Sequence, residues 1–247
     1  MASPAGLGFR TEIDPLPPIP GQDGGPSTSV LYFLFMIHEI LPVGWLQCNC
    51  SILGDETTHE AIVVDPGDDI ADILAILEQH QLRVKFIAIT HAHIDHVGGA
   101  KQLKDRTGAP IYLNELDREL YGMMHAQAAF LGVPPFPTTD IDVPLREGDE
   151  LQCGGIRASV LHTPGHTPGS VCLLVPNGEQ TKLLAGDTLF RDSIGRTDLW
   201  GGDYGQILRS LREKLLPLDD AVVVVPGHGP LTTIGREREH NPFLQVS

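Results

Sequence analysis

The stretch Thr90-His-Ala-His-Ile-Asp-His-Val-Gly-Gly99 contains three histidines and one aspartate within six residues. It follows the apolar, β-branched run VKFIAIT at residues 84–90, whose composition predicts a buried strand. Open α/β sheets bind their ligands just beyond the carboxyl ends of strands, so we expect chemistry at this point of the chain. A histidine-rich surface loop is the alternative interpretation, and the buried strand in front of the loop disfavours it.

The spacing of these four side chains suits two metal ions. His91 and His93 are two residues apart in an extended loop, so they can point the same way and bind one ion. Asp95 and His96 stand at the start of the predicted next helix and can turn toward a second ion. Imidazole and carboxylate together suit zinc, and also iron or manganese, better than they suit calcium or magnesium.

Composition places the chain among globular proteins and excludes several partners. It has 247 residues, of which 41% are hydrophobic and 20% charged, and a formal net charge of −15. A surface this acidic repels phosphate backbones, and we therefore expect no nucleic acid partner. The run VLYFLFMI at residues 30–37 is shorter than the roughly 20 residues of a membrane-spanning helix. It also lacks the features of a signal peptide, so we expect no membrane partner.

The cysteines favour a reducing compartment. Cys48, Cys50, Cys153 and Cys172 form no CxxC pair, and Cys48 and Cys50 are too close for an ordinary disulfide. Free thiols in the cytoplasm are the simplest interpretation. A metal or redox role for the Cys48–Cys50 pair is the alternative. The sequence predicts no particular oligomeric state.

The order of predicted elements indicates an α/β fold. Residues 1–29 are rich in proline and glycine and predict a flexible tail, which leaves 30–247 as the folded domain. Two β-rich halves, each followed by helices, predict an αββα four-layer sandwich of two packed mixed sheets with helices outside. Asp69 is the predicted N-cap of a helix near residues 70–77. Strands are predicted at 30–40, 46–54, 60–65, 84–90, 110–113, 149–153, 156–162, 170–175, 182–186 and 221–225, and further helices at 95–106, 115–131 and 204–215.

Three further segments end a predicted strand in a metal-binding side chain. His166 lies in the Gly/Pro-rich turn after strand 156–162, and Asp187 follows the buried run LLAG. His228 lies between two glycines after the last strand. Each signal alone is weak, because a single Gly-His-Gly turn is usually structural. Together with the first motif they give seven ligand candidates, all at strand ends.

The motifs THxHxDH, GHTPG, GDT and PGHG, in this order, resemble the metallo-β-lactamase fold superfamily from about residue 30 onward. Within it, LFRDSIGRTDL (189–199), GHGPLTT (227–233) and EREHNPFL (237–244) are similar to short glyoxalase-II-like hydrolases. The resemblance implies one metal held by three histidines, a second held by an aspartate and two histidines, and one bridging aspartate. The three histidines of the first metal are His91, His93 and His166. The ligands of the second metal are Asp95, His96 and His228, and the bridging aspartate is Asp187.

The resemblance also implies an activity. It is the hydrolysis of a small acyl thioester such as a hydroxyacylglutathione, through attack by a hydroxide that bridges two divalent ions about 3.5–4 Å apart. Zinc is the expected metal, with iron and manganese as alternatives. Asp95 and Asp187 are the expected catalytic carboxylates, with Asp95 orienting the hydroxide and Asp187 joining the two ions.

Residues for substrate binding are less strongly indicated. Arg196 is a candidate clamp for a substrate carboxylate, because guanidinium pairs with carboxylate in a bidentate fork. The alternative for Arg196 is an ion pair with Asp198 or Asp192 that fixes its own loop. Asn49 is a candidate substrate contact or a turn residue.

Two residues near the predicted ligands have supporting roles. Asp65, after strand 60–65, is expected to support the histidine-rich loop rather than bind metal. His162 is expected either to hydrogen-bond a ligand or to hold its own turn. Longer glyoxalase enzymes often carry a further histidine where this chain has Ser170, which weakens a close functional transfer.

Other activities of the superfamily stay open as alternatives. A mononuclear iron persulfide dioxygenase would use His91, His166 and Asp187 and shares a similar Gly-Arg-Thr-Asp stretch. Gly229 after His228, with the full ligand set, favours the hydrolase. A lactonase or β-lactamase-like activity and a non-catalytic metal scaffold are further alternatives. The charge of −15 disfavours a nuclease.

Overall fold

The computed structural model describes residues 36–178 and 180–245. The predicted tail at 1–29 and the start of the predicted first strand lie outside these residues. A domain boundary near residue 30 therefore stays a prediction.

Six strands form the first sheet, and they follow each other in chain order across it. They are β1 (Met36–Val43), β2 (Cys48–Asp55), β3 (Glu60–Val64), β4 (Arg83–Ala88), β5 (Ile111–Asn114) and β6 (Val143–Leu145). The first three strands are antiparallel neighbours, and β4, β5 and β6 continue from β3 in parallel. The sheet is therefore mixed, and the carboxyl ends of its parallel strands share one edge.

The second sheet also has six strands. They are β7 (Glu150–Cys153), β8 (Ile156–His162), β9 (Val171–Asn177), β10 (Gln180–Gly186), β13 (Val223–Pro226) and β14 (Thr232–Thr233). Their order is β14-β13-β10-β9-β8-β7, with β10 and β13 parallel and the other neighbours antiparallel. Between β10 and β13 the chain makes a short hairpin of β11 (Leu189–Phe190) and β12 (Ser193–Ile194).

Seven α-helices accompany the sheets in the described part of the chain. None of them is long and apolar enough to cross a membrane. A 3₁₀ turn at Glu115–Asp117 precedes the fourth helix, and a π-type turn at Leu211–Leu215 follows the sixth. The helices are α1 (Ile70–Gln79), α2 (Ile94–Val97), α3 (Ala100–Thr107), α4 (Arg118–Gly122), α5 (Met124–Leu131), α6 (Tyr204–Ser210) and α7 (Ile234–His240).

Alternation along the strands produces three apolar layers. In β9, Leu173 faces the layer between the two sheets, whereas its neighbour Cys172 faces the layer under α6 and the turn after it. Ile62 of β3 lies in the layer between the sheets, and Val63 lies in the layer beneath the helices of the first half. The predicted αββα arrangement of two packed mixed sheets with outer helices is confirmed.

Two predicted helices are each divided into shorter pieces. The predicted helix at 95–106 breaks at Gly98-Gly99 between α2 and α3. At that break the chain lies against a neighbouring loop, and a Cβ on Gly98 would lie 2.7 Å from the carbonyl oxygen of Gly67. The predicted helix at 115–131 is a 3₁₀ turn followed by α4 and α5. Short elements of two to three residues, and α7, were not predicted because their sequences carry little periodicity.

Asp69 occupies the N-cap position of α1 but does not cap the helix with its side chain. Its backbone is left-handed, with φ of 50°, which turns the carboxylate away from the first helical turn. The carboxylate instead accepts a hydrogen bond from the backbone N–H of Gly44, at 2.8 Å. Asp69 therefore ties α1 to the β1–β2 connection.

A polar contact joins the two sheets at His38. On the first sheet, His38 Nε2 is 3.1 Å from Ser51 Oγ. On the second, the ammonium of Lys182 donates to His38 Nδ1 at 2.8 Å. Burial, assisted by the Lys182 charge, lowers the pKa of His38 to about 4. The folded protein therefore favours the neutral ring.

This pKa predicts an acid-dependent loss of stability. An unfolded histidine has a pKa of about 6.5, so protonation between pH 6.5 and 4 favours the unfolded chain. We expect His38 to cost up to roughly 3 kcal/mol of unfolding free energy as the pH falls through this window. Urea unfolding of the wild type and of His38→Gln, from pH 7.5 to 4, measures the difference. Parallel pH profiles for the two proteins would contradict it.

Candidate metal centre

Three histidines from two loops form the first donor group. His91 and His93 follow β4, and His166 lies in the turn after β8. His166 Nε2 is 3.2 Å from His91 Nε2 and 2.8 Å from His93 Nδ1. All three rings are buried. The three ring nitrogens lie close enough together to hold one ion.

An aspartate and two histidines form the second group. His96 Nε2 is 3.2 Å from His228 Nε2, and His228 Nε2 is 3.1 Å from Asp95 Oδ2. Asp95 and His96 come from α2, and His228 comes from the turn after β13. These donors also lie within reach of a single ion.

The carboxylate of Asp187 stands between the two groups. Its Oδ2 is 3.5 Å from His166 Nε2, and its Oδ1 is 3.3 Å from His96 Nε2. One oxygen therefore faces each group. Asp187 Oδ1 and His93 Nε2 are buried atoms without a hydrogen-bond partner in the described part of the chain. Such atoms are rare in folded proteins. Asp187 Oδ1 is an acceptor that lies among the donors of the second group, so it is suited to a cation.

Hydrogen bonds on the outer side of the rings fix which nitrogen faces the centre. His166 Nδ1 is 2.8 Å from the carbonyl oxygen of Arg196, and His228 Nδ1 is 3.0 Å from that of Leu46. A carbonyl oxygen only accepts, so both Nδ1 atoms carry a proton, and in the neutral ring each Nε2 atom directs a lone pair inward. Inward lone pairs at these short separations repel each other unless a cation lies between them. The donor set therefore fits metal ions.

The protonation states suit a cation as well. Burial lowers the pKa of His91 well below its ordinary value and that of His93 to about 3, so both rings are neutral. Burial alone would raise the pKa of Asp95 and Asp187, but nearby imidazoles, His96 above all, outweigh it and lower both. Burial alone would lower the pKa of His96 and His228, but nearby acidic groups outweigh it and raise both. The second group therefore favours positive charge, held either as protons on its rings or as a metal ion that replaces them.

Asp65 orients two of the rings and the loop that carries them. Its carboxylate accepts hydrogen bonds from the backbone N–H of Thr90 at 2.7 Å and from the Thr90 hydroxyl at 2.6 Å. The Thr90 hydroxyl is 3.1 Å from His91 Nδ1, and Asp65 Oδ2 is 3.0 Å from His96 Nδ1. The prediction that Asp65 supports the histidine-rich loop is confirmed, and with Cys48 and His96 it also forms a group close enough to hold an ion.

The centre opens into a cavity of about 370 Å³. Five of the seven predicted ligands line the cavity, namely His93, Asp95, His166, Asp187 and His228. The remaining wall is mostly apolar. It consists of Leu46, Ile94, Gln127, Phe130, Leu131, Arg196, Leu199 and Trp200.

The sequence profile of the Metallo-beta-lactamase superfamily matches residues 43–228, about three quarters of the chain and the whole set of donors described above. The chain belongs to the metallo-β-lactamase superfamily. This family implies that the chain binds divalent metal ions.

Two curated relatives match this superfamily member over nearly their full length. An uncharacterised protein of Mycobacterium leprae is 43% identical over 221 residues, which is 85% of this chain and 99% of the relative. A protein of Haemophilus influenzae named hydroxyacylglutathione hydrolase GloC is 41% identical over 211 residues, 83% of this chain and 97% of the relative.

Solved structures with this fold carry different names. The BLEG-1 B3 metallo-β-lactamase has a TM-score of 0.78 at 38% identity, and it matches 85% of this chain and 100% of its own. TTHA1623 in a di-iron-bound form has a TM-score of 0.74 at 41% identity, with coverages of 83% and 100%. ETHE1 from Myxococcus xanthus has a TM-score of 0.71 at 28% identity, with 86% of each chain covered.

The predicted substrate-binding residues have protein partners in this superfamily member. Arg196 lines the cavity, but its Nε and Nη2 donate to the two carboxylate oxygens of Asp198 at 2.8 and 2.9 Å. This is the ion pair of the alternative interpretation. The amide of Asn49 donates to the carbonyl oxygens of Pro226 and Gly229, and Asn49 is absent from the described lining of the cavity. Asn49 therefore fixes the turn that carries His228.

His162 and the cysteines lie outside the donor set. His162 Nε2 is 2.9 Å from the carbonyl oxygen of Pro168, so it holds its own turn. All four cysteines are free and buried. Cys48 Sγ is 3.5 Å from His96 Nδ1, on the side of the ring that Asp65 also contacts. Burial raises the pKa of the Cys48 thiol to about 12, so it stays protonated there.

Two buried side chains that the sequence analysis missed connect the ligand loops. Asp117 accepts hydrogen bonds from the N–H of Ala92 at 2.9 Å, the hydroxyl of Thr167 at 2.8 Å and the N–H of Gly169 at 2.6 Å. Gln127 accepts from the N–H of Ile94 and donates to the carbonyl oxygen of Ala92. An Asp or a Gln amid ordinary helical sequence gives no local signal of such a role.

Gly227 shows how tightly the loops approach each other. A Cβ at this position would overlap Asp187 Oδ1 and lie 2.7 Å from His96 Cε1. Only glycine leaves room for the carboxylate and the ring beside the Pro226-Gly-His turn. The first glycine of the PGHG motif is therefore required for steric reasons, and the histidine of the same motif is the predicted ligand.

Removal of the Asp117 carboxylate should destabilise the protein. Asp117→Ala leaves two backbone N–H groups and one hydroxyl without their acceptor, so we expect a loss of roughly 3 kcal/mol of unfolding free energy. Urea unfolding checks it, with Asp105→Ala as a control, because Asp105 makes only an exposed i,i+4 pair with Lys101. A loss below about 1 kcal/mol would show that the carboxylate does not hold the two loops.

Proposed function

We propose that this superfamily member is a dinuclear metal-dependent hydrolase of a small acyl thioester, with hydroxyacylglutathiones as the first candidates. The observation that carries the proposal is the position of Asp187, with one oxygen 3.5 Å from His166 Nε2 and the other 3.3 Å from His96 Nε2. A relative at 41% identity named hydroxyacylglutathione hydrolase supports the substrate class. Four free thiols suit a cytoplasmic location.

In this proposal His91, His93 and His166 hold one ion, and Asp95, His96 and His228 hold the other. Zinc is the proposed metal, with iron and manganese as alternatives because the same donors suit them. A di-iron neighbour at 41% identity supports two ions and keeps iron open. When bound, such a metal pair supplies hydroxide at neutral pH and polarises the carbonyl of the substrate.

The remaining steps belong to the protein's own groups. Asp95 Oδ2 faces the centre and is proposed to accept a hydrogen bond from the attacking water, which orients it toward the carbonyl carbon. Asp65, the Arg196 carbonyl and the Leu46 carbonyl keep the imidazole lone pairs directed inward. A thiolate leaves without a strong general acid, so a thioester needs no further proton donor in the cavity.

A mononuclear iron persulfide dioxygenase is the second candidate. ETHE1 from Myxococcus xanthus, with 28% identity and a TM-score of 0.71, fits this alternative. Here His91, His166 and Asp187 would hold one iron. The second donor group would then have no metal to bind, which favours the hydrolase.

Metal content and a substrate panel separate the two candidates. The protein is expressed without added metal, and its zinc, iron and manganese are measured by elemental analysis. About two ions per chain, with loss of thioester absorbance from S-lactoylglutathione, supports the hydrolase. About one iron per chain, with oxygen consumed in the presence of glutathione persulfide, refutes it.

Asp187→Ala should abolish hydrolysis and lower metal occupancy at both positions. We expect kcat/KM to fall at least about 10³-fold, since metal stabilisation of the transition state is worth several kcal/mol. Elemental analysis follows the metal, and circular dichroism should show unchanged secondary structure. Asp72→Ala, an exposed position on α1, is the control. Full activity in Asp187→Ala would refute the bridging role.

A further inference from the structure

We propose that the cavity beside the metal centre selects thioesters with an apolar, uncharged acyl group, and that Phe130 and Trp200 determine this specificity. The inference rests on the proposed hydrolase function and names the substrate class for the same site. It follows from the side chains that line the cavity and from the partners that those side chains already have.

The outer wall of the cavity exposes large apolar side chains. Phe130 is 64% exposed and Trp200 is 37% exposed. Their rings are 5.4 Å apart in a T-shaped arrangement, so they form one continuous aromatic surface. Leu46, at 37% exposure, lies in the same wall. Exposed aromatic groups at the mouth of a cavity are typical of a ligand-binding surface.

The polar side chains of the wall are already occupied. Apart from the proposed metal ligands, Gln127 and Arg196 are the only polar residues that line the cavity in the described chain. Gln127 hydrogen-bonds three backbone groups through both ends of its amide. The guanidinium of Arg196 is paired in bidentate fashion with Asp198. The wall thus offers no unpaired cation to a substrate carboxylate.

The neighbouring cavity offers no cation either. It has a volume of about 360 Å³, shares Trp200 with the first cavity, and has Glu119 as its charged lining residue. Burying a charged thiol arm here would leave its charges without partners, which is costly. We therefore infer that a charged thiol arm stays in water while the acyl group enters the cavity.

Binding of non-hydrolysable thioethers tests this orientation without relying on catalysis. Calorimetry on the metal-loaded protein compares S-benzylglutathione with S-methylglutathione, in which the substituent on sulfur replaces the acyl group. We expect the benzyl compound to bind about tenfold more tightly, since the ring buries additional apolar surface. Equal dissociation constants for the two compounds would overturn the inference.

Variants of the two aromatic residues test which side chains cause the preference for the benzyl compound. Phe130→Ala and Trp200→Ala should each lower the preference for the benzyl compound to about twofold or less, and Trp200→Phe should retain most of it. Tyr204→Ala is the matched control, because Tyr204 is an aromatic residue with 50% exposure that does not line the cavity. An undiminished preference in both alanine variants would assign the effect elsewhere and overturn the inference.

Hydrolysis distinguishes this inference from the proposed function. S-mandeloylglutathione and S-lactoylglutathione share the thiol and the α-hydroxyacyl group but carry phenyl and methyl substituents. We expect kcat/KM to be about tenfold higher for the mandeloyl compound. A higher value for the lactoyl compound would overturn the inference. If neither compound is cleaved while the benzyl preference persists, the proposed function fails and the cavity assignment stands.

Releasing Arg196 should create the missing anion site. Asp198→Asn removes the partner charge, so we expect S-carboxymethylglutathione to bind about tenfold more tightly than to the wild type, with the gain lost in the Arg196→Ala/Asp198→Asn double variant. No gain in Asp198→Asn would contradict the argument that Asp198 occupies Arg196. A wild-type preference for the carboxymethyl over the benzyl compound would overturn the inference.

Discussion

The buried carboxylate of Asp65 is the contact on which the metal centre depends. It accepts hydrogen bonds from Thr90 and faces His96, and through the Thr90 hydroxyl it also reaches His91. The loop backbone and two ring orientations are therefore fixed by one side chain at the end of β3. Asp65 contacts the rings at their Nδ1 side, directly or through Thr90, so it sets the direction of the Nε2 lone pairs.

Much of the centre could be predicted because strand ends carry strong local signals. A buried apolar run followed by histidine or aspartate marks where a strand stops and a side chain enters the edge of the sheet, as with His91, His166 and Asp187. The order of the predicted elements, two β-rich halves each followed by helices, likewise predicted the two sheets with outer helices. These features depend on residues that are neighbours in sequence.

Features that depend on distant residues could not be predicted. At Gly98, between α2 and α3, the loop at Gly67 lies so close that a Cβ would meet its carbonyl oxygen. Asp117 joins a loop 25 residues before it to another loop 50 residues after it. Arg196 illustrates the same limit. Its sequence setting suits either a substrate clamp or an ion pair, and the bidentate contact with Asp198 becomes visible only in three dimensions. Local propensity carries no information on such pairings.

The donors come from four separate stretches of chain, which extend from His91 to His228 and belong to both sheets. Because each of the two donor groups takes ligands from both sheets, neither group is complete until the two sheets have packed together. Ions that bind only the finished arrangement stabilise it by mass action. Escape of the ions and separation of the two halves are therefore thermodynamically linked, and chelators should act on the folding equilibrium of the whole sandwich as well as on chemistry.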